Sequence, residues 1–337
     1  MKRSLLSVLA ALALAFAACA PMAQHAALPG AEFQGPRLES TDFVSFDGTR
    51  LPLERWEPKG EPWAVIVGLH GMNDYANAFH LAAPEWAKQG IATFAYDQRG
   101  FGRTAHRGIW AGSALMEEDL RTLTALVRAR HPRAIIAVAG ISIGGAVAIE
   151  AFASDRPPAA DRLVLLAPAV WGWQSQPAPQ QVALWIAAHS VLRGMVLTLP
   201  KSWITKYLAT DNLPELRRMS EDPNIILGAR PDALYGAMNT MQRAWWSVGK
   251  ISVPTLYAYG FKDRVMPKRP SAAAAARLRA DFRSAYYAEG HHLLLVDLER
   301  DKVIGDVAAF LRDPAAPLPS GAPPIPRPRD ALPDSAR

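Results

Sequence analysis

Ser142 lies in the run Gly140-Ile141-Ser142-Ile143-Gly144, directly after the apolar stretch Ile135-Ile136-Ala137-Val138-Ala139. A serine hydroxyl becomes a nucleophile only when a base takes its proton and an acid orients that base. A buried strand that ends in G-x-S-x-G and enters a helix holds its serine on a sharp, strained turn. Bulk two residues before or after that serine would force strand and helix apart. Gly140 and Gly144 carry none, and Gly145 adds room for close approach. The helix beginning here offers unpaired backbone N–H groups and the positive end of its dipole. The motif is short, so its chemistry rests on partners elsewhere in the chain.

Downstream, Pro254-Thr255-Leu256-Tyr257-Ala258-Tyr259 predicts a buried strand, and Asp263 lies just past its carboxyl end. That is where ligands meet open α/β sheets. A short strand, Ser284-Ala285-Tyr286-Tyr287, precedes Glu289-Gly290-His291-His292-Leu293-Leu294-Leu295. Two adjacent histidines thus occupy the loop where a base belongs, and their position alone leaves both open. Upstream, residues 63–69 predict a strand ending in His70-Gly71-Met72-Asn73-Asp74. This loop is placed to aim the Met72 N–H, together with that of Ile143, at a developing oxyanion. Such donors are each worth about 2.7–4 kcal/mol in a transition state.

A further strand over residues 91–96 leads into Asp97-Gln98-Arg99-Gly100-Phe101-Gly102-Arg103-Thr104. The chain therefore carries, in order, an HG loop, D-x-R-G-x-G-x-T, G-x-S-x-G, a G-x-x-D before Pro267, and G-x-H-x-L-L. Over about residues 41–311 this set resembles the monoacylglycerol lipase and lysophospholipase-like, serine aminopeptidase-type branch of the α/β-hydrolases. The resemblance implies Ser142 as nucleophile, Asp263 as acid and His292 as base, because the family's histidine stands two residues after the glycine. It implies oxyanion donors at Met72 and Ile143, with no metal and no organic cofactor. His70 falls outside the family's Ser–Asp–His order and reads as a residue shaping its loop. Asp97 and Arg99 read as charges that pin a loop. The implied activity is hydrolysis of monoacylglycerols or lysophospholipids through an acyl-enzyme, with short-chain esters or peptides as alternatives. Asn73-Asp74-Tyr75 depart from the Gly-Glu-His-type continuation of the animal monoacylglycerol lipases, so head group and acyl length stay open. An envelope lipoprotein that binds lipid or a partner without turnover is the reading from a different class.

The elements that must position these residues predict an α/β-hydrolase fold: a mostly parallel twisted sheet flanked by helices, begun by a hairpin around Asp47-Gly48. The strand–helix alternation breaks after the sixth strand, giving a helical cap over about residues 170–250 within a domain at 38–312. Trp171, Trp173, Trp185, Trp203, Trp245 and Trp246 are candidates to line an acyl pocket there. Lys201, Lys206, Arg217 and Arg218 are candidates to meet a phosphate head group. Residues 1–20 read as a signal peptide: Lys2 and Arg3, then an apolar stretch over 5–18 too short for a membrane span. Its end, Phe16-Ala17-Ala18-Cys19, resembles a bacterial lipoprotein signal, with Cys19 lipidated and the protein attached to a membrane. The competing reading is ordinary cleavage after Ala20. Both place the protein in the bacterial cell envelope or beyond it. Residues 21–37 read as a tether, and 313–337 as an extended, mobile Pro-rich tail. Cys19 is the single cysteine, so no intramolecular disulfide is available. The net charge of +6 includes Lys2 and Arg3, and no long basic run supports nucleic-acid binding.

Overall fold

A computed structural model of the chain describes residues 20–198, 208–279 and 281–327. The strands of the central sheet are β1 (Arg37–Leu38), β2 (Asp42–Val44), β3 (Arg50–Trp56), β4 (Ala64–Leu69), β5 (Ile91–Tyr96), β6 (Ile135–Ile141), β7 (Arg162–Leu166), β10 (Thr255–Gly260) and β11 (Arg283–Tyr287). Their spatial order is β1-β2-β3-β5-β4-β6-β7-β10-β11. The first three are antiparallel and β3 meets β5 antiparallel; every later pairing is parallel. The continuous apolar runs belong to the middle of the sheet because both faces are covered. On β4, Val65, Val67 and Leu69 enter one core while Ala64 and Ile66 enter the other.

The first core is closed by α2 (Ser113–Arg130), α3 (Ile143–Phe152) and α7 (Lys268–Ala275), through residues such as Met116, Leu120, Val147 and Ala272. The second is closed by α1 (Ala83–Lys88) and α8 (Arg300–Arg312), through Trp86, Val303, Val307 and Phe310. Between β7 and β10 lies the cap. It comprises α4 (Ala178–Ala188), α5 (Leu213–Glu221), α6 (Pro231–Ser247) and a small ribbon of β8 (Leu197–Thr198) with β9 (Gly228–Ala229). The cap follows the seventh strand rather than the sixth, because Arg37 and Leu38 pair with Val44 and Phe43 and add an edge strand. Residue 37, read as tether, thus belongs to the sheet.

The described segments on either side of the domain, residues 20–36 and 313–327, are more firmly attached than their composition suggests. Gln24 donates from its backbone N–H to the Trp110 carbonyl at 3.2 Å and from Nε2 to that of Ile109 at 2.7 Å. The tail expected to be mobile instead packs along β11 as far as residue 327. The Tyr286 N–H donates to the Pro323 carbonyl at 2.8 Å, and the Ile325 N–H to Ser284 Oγ at 3.1 Å. Ser320 Oγ donates to Asp306 Oδ2 at 2.5 Å, and Ile325 is only 7 % exposed. The physical reason is that β11 is an edge strand with unpaired polar groups. Prolines cannot donate to it, but their carbonyls still accept, and Ile325 gives the segment an apolar anchor. Residues 328–337 lie outside the described residues.

The hairpin turn is organised by a charge. Strands β2 and β3 stop short of Asp47, whose carboxylate turns inward to take Arg99 Nη1 at 2.8 Å and Nη2 at 2.9 Å. Asp119 on α2 takes the same guanidinium at Nε, 2.6 Å, and Nη2, 2.7 Å. The three side chains are 3 %, 3 % and 0 % exposed in the order Arg99, Asp47, Asp119. Burial works against Asp47, yet Arg99 and the Ala27 and Thr49 N–H groups hold its carboxyl far below the usual range. One arginine thereby fastens the hairpin, the loop after β5 and α2. Removing one partner of a buried ion pair costs about 3–5 kcal/mol. Arg99→Ala is expected to lower the unfolding free energy by about that much in urea titration, and a loss below about 1 kcal/mol would contradict the role given to this cluster.

Candidate active site

The chain leaves β4 toward β5 on one side, then returns to place β6 on the other. A crevice opens at such a reversal, outside the carboxyl ends of the strands. The loop after β4 is His70-Gly71-Met72, and the turn after β6 holds Ser142. They are close: a Cβ placed on Gly71 would stand 3.6 Å from the Ser142 Cβ.

Ser142 has φ 51° and ψ −116°, a left-handed conformation that a serine holds only at a cost of order 1–3 kcal/mol. Its N–H donates to the Leu166 carbonyl at 3.0 Å, and its carbonyl accepts from Ala146 at 3.1 Å and Ala169 at 2.8 Å. The glycines around it have no room for a side chain. A Cβ on Gly140 would lie 2.6 Å from the Gly145 Cα, and one on Gly144 would lie 2.5 Å from the Leu69 carbonyl oxygen. Ser142 is 8 % exposed, and among the described residues its Oγ makes no hydrogen bond with a protein group. Nor does the N–H of Met72 or of Ile143, the first residue of α3, donate to a protein acceptor among those residues. The Ser142 hydroxyl and the Ile143 N–H are thus unengaged at this turn, and the Met72 N–H is unengaged in the loop whose Gly71 lies against Ser142.

Asp263 follows β10 and His292 follows β11, on the same rim of the sheet. Gly260 and Gly290 let the two loops touch: a Cβ on Gly260 would stand 2.3 Å from the Gly290 oxygen, and the Lys262 N–H donates to that oxygen at 2.8 Å. Asp263 Oδ1 accepts the N–H groups of Val265 at 2.8 Å and Met266 at 2.9 Å. Its Oδ2 faces His292 Nδ1 at 2.9 Å, with side-chain exposures of 0 % and 7 %. A fully engaged carboxylate fixes the proton on Nδ1, leaving the Nε2 lone pair available. Of the two adjacent histidines, His292 faces Asp263. His291 turns away toward Asp297, whose Oδ2 accepts the His291 backbone N–H at 2.6 Å.

His70 is buried, and both ring nitrogens are committed. Nδ1 donates to the Gly71 carbonyl at 2.7 Å, while Nε2 accepts the Gln98 N–H at 2.9 Å. Only a neutral imidazole can do both. Burial pushes its pKa down to about 4. Asp97 holds the other side of the loop, accepting the Ala76 N–H at 2.9 Å and pairing with Arg103 Nε at 2.9 Å. The neighbouring Asp74 carboxyl is pushed up to about 7 by burial, against the Tyr75 N–H that favours its charged form.

The cap is fastened at several points, two of which flank the loop after β4 and α3. Glu150 of α3 accepts Arg243 Nε of α6 at 2.8 Å and Ser113 Oγ at 3.0 Å. The Asn73 carbonyl accepts the Ile226 N–H at 2.9 Å, and Asn73 Nδ2 donates to the Gly228 carbonyl at 3.1 Å. Beside that second point a cleft of about 290 Å³ is lined by Asn73, Phe101, Arg107, Trp110, Ile226 and Arg230. Of these, the sequence reading singled out only Asn73 and Phe101, as parts of motifs, because the others lie far apart in the chain. The tryptophans divide: Trp171 and Trp245 pack on the core, Trp173 and Trp185 line a separate cap cleft with Tyr235, and Trp246 is 58 % exposed. Arg218 is occupied by Glu215 and Asp222. Cys19, Lys201, Trp203 and Lys206 lie outside the described residues.

A parallel sheet reversing at β4, a strained serine at the turn after β6 and an Asp–His pair after the last strands define an α/β-hydrolase. The chain belongs to the serine aminopeptidase S33 family, whose pattern residues 60–299 match. A monoacylglycerol lipase of Mycolicibacterium smegmatis is 24% identical over 284 residues, covering 80% of this chain and 95% of that protein. Among solved structures, the monoacylglycerol lipase of Paleococcus ferrophilus superposes with a TM-score of 0.64 at 19% identity, over 77% of this chain and 98% of that one. A highly thermostable carboxyl esterase from Bacillus coagulans gives 0.68 at 17% identity, over 84% and 100%.

The His70 geometry gives a pH dependence of known sign. The unfolded chain protonates this imidazole near its ordinary 6.5, the native one only near 4. Its contribution to stability is therefore complete above pH 6.5 and is lost as pH falls toward 4. In urea unfolding, the margin of wild type over His70→Asn is expected to narrow across that range by up to about 1.4 kcal/mol per pH unit. A margin independent of pH would contradict a neutral, doubly bonded His70.

Proposed function

We propose that the protein is a serine carboxylic-ester hydrolase acting on monoacylglycerols or lysophospholipids through an acyl-enzyme. Ser142 Oγ attacks the acyl carbonyl as His292 Nε2 takes its proton, and Asp263 holds the imidazole and stabilises the imidazolium. The Met72 and Ile143 N–H groups receive the oxyanion. His292 then protonates the leaving alcohol, and water releases the acyl group by the reverse steps. The observation that carries this reading is the saturated Asp263 carboxylate, which presents His292 with its Nδ1 bonded at 2.9 Å and its Nε2 free. The M. smegmatis relative supports the lipid class, and the apolar cleft beside Asn73 suits an acyl chain. The family's description, serine aminopeptidase, makes amide substrates the alternative to test alongside.

Hydrolysis of p-nitrophenyl esters from two to sixteen carbons, by protein starting at residue 21, is expected to peak at medium or long chains. Ser142→Ala should lower turnover at least about 10,000-fold. Monoacylglycerols and lysophospholipids then separate the two lipid classes. A short-chain peak would make the enzyme a small-ester hydrolase, and serine-dependent cleavage of aminoacyl amides alone would make it a peptidase.

We also propose that Cys19 is lipidated and holds the protein at a bacterial envelope membrane. The chain just beyond it lies against the cap, with the Ala20 carbonyl accepting Arg193 Nη1 at 2.8 Å. Among the described residues no helix is long and apolar enough to cross a membrane. Cys19→Ser is expected to move the protein from the membrane fraction to the soluble fraction and to remove the acyl mass from its N-terminal peptide. Unchanged fractionation would contradict the anchor.

A further inference from the structure

The reaction leaves His291 without a task, and its surroundings are unusual. His291 Nδ1 and Asp297 Oδ1 are both buried, face one another and have no hydrogen-bond partner. Their separation is 3.6 Å, and the Asp297 side chain is 3 % exposed. That gap exceeds a hydrogen bond, which places heavy atoms about 2.7–3.2 Å apart. A buried acceptor facing a ring nitrogen across such a gap forfeits the bond that usually repays desolvation. Two ligands of one tetrahedral ion, each at about 2.1 Å, stand about 3.4 Å apart. Asp211 supplies a third donor from the cap side, and the three donor atoms lie within 4.8 Å of one another.

We infer that Asp211, His291 and Asp297 bind a divalent first-row metal ion of the zinc type, which ties the cap to the loop carrying His292. The donor set is one imidazole nitrogen and two carboxylate oxygens. That suits zinc and its neighbours, with water in the fourth position. Calcium takes six to eight oxygens, and this cluster offers too few. The remaining polar groups are already arranged as supports. Asp297 Oδ2 accepts the His291 N–H at 2.6 Å, and Asp211 Oδ1 accepts the Leu298 N–H at 2.9 Å. The same two segments are joined by the Leu293 N–H to the Ala209 carbonyl at 2.8 Å and by Asn212 Nδ2 to the Val296 carbonyl at 3.0 Å. The ion is held through His291, while His292 is the ring that meets Asp263, so its role is to hold the histidine loop rather than to touch substrate.

The test is calorimetric titration of the chelator-stripped full chain with Zn²⁺, paired with thermal unfolding. Wild type and Ser142→Ala are both expected to bind one ion per chain and, at a hundredfold excess over Kd, to gain at least about 3 °C in Tm. Asp211→Asn keeps an acceptor for the Leu298 N–H and is part-exposed, so it preserves the fold. It should weaken binding at least about tenfold, as should His291→Gln. An equal Tm gain with Ca²⁺, no uptake by wild type, or Zn²⁺ binding unchanged in both variants would overturn the site. Because Ser142→Ala serves as a binding control, its outcome is independent of whether the protein hydrolyses esters.

Discussion

The close approach of strand and helix at Ser142 is the constraint on which the rest of the molecule depends. A serine at φ 51° and ψ −116° is held there only because Gly140, Gly144 and Gly145 let β6, α3 and the loop after β4 approach one another. A single methyl on Gly144 would strike the Leu69 carbonyl. The same close approach leaves Gly71 against Ser142. The strain is therefore the geometric condition for presenting the Ser142 hydroxyl at the start of α3. The buried sheet on both sides supplies the packing that over-determines it.

Around this point the protein uses buried polar groups as fasteners, and three of them have their partners supplied. Arg99 is shared by two carboxylates, His70 is kept neutral between a donor and an acceptor, and Asp263 is saturated by two N–H groups and one imidazole. Buried charges and polar groups of this kind are costly when half satisfied. These partners join the loops after β4, β5, β10 and β11 to one another and to the sheet. The pair left incomplete, His291 with Asp297, lies on the seam between cap and histidine loop, where a further ligand would complete it.

Much of the sheet was legible in the sequence because its middle strands are continuous apolar runs that end in glycine-containing loops. The order of serine, aspartate and histidine along the chain carried the candidate site. The choice between His291 and His292 needed the family pattern. In the structure the distinction is made by which ring meets Asp263, a contact between residues 29 apart. Other features were not legible because they are contacts across long stretches of chain. The inward turn of Asp47 depends on Arg99 and Asp119, and Trp110 reaches the cleft only once the cap is folded over it. The segment over residues 313–327 differs from its expected mobility for a plainer reason: proline content rules out helix and central strand, but proline carbonyls still accept and the Ile325 N–H still donates at the β11 edge.

The central claim is that His292, oriented by Asp263, activates Ser142. The most direct measurement is the rate of covalent labelling by a fluorophosphonate, located by peptide mass spectrometry, in wild type and in His292→Ala. A single adduct on Ser142 is expected in wild type, with a labelling rate at least about a thousandfold lower in the variant. Equal labelling of Ser142 in both proteins, or an unlabelled Ser142 in folded wild type, would contradict it.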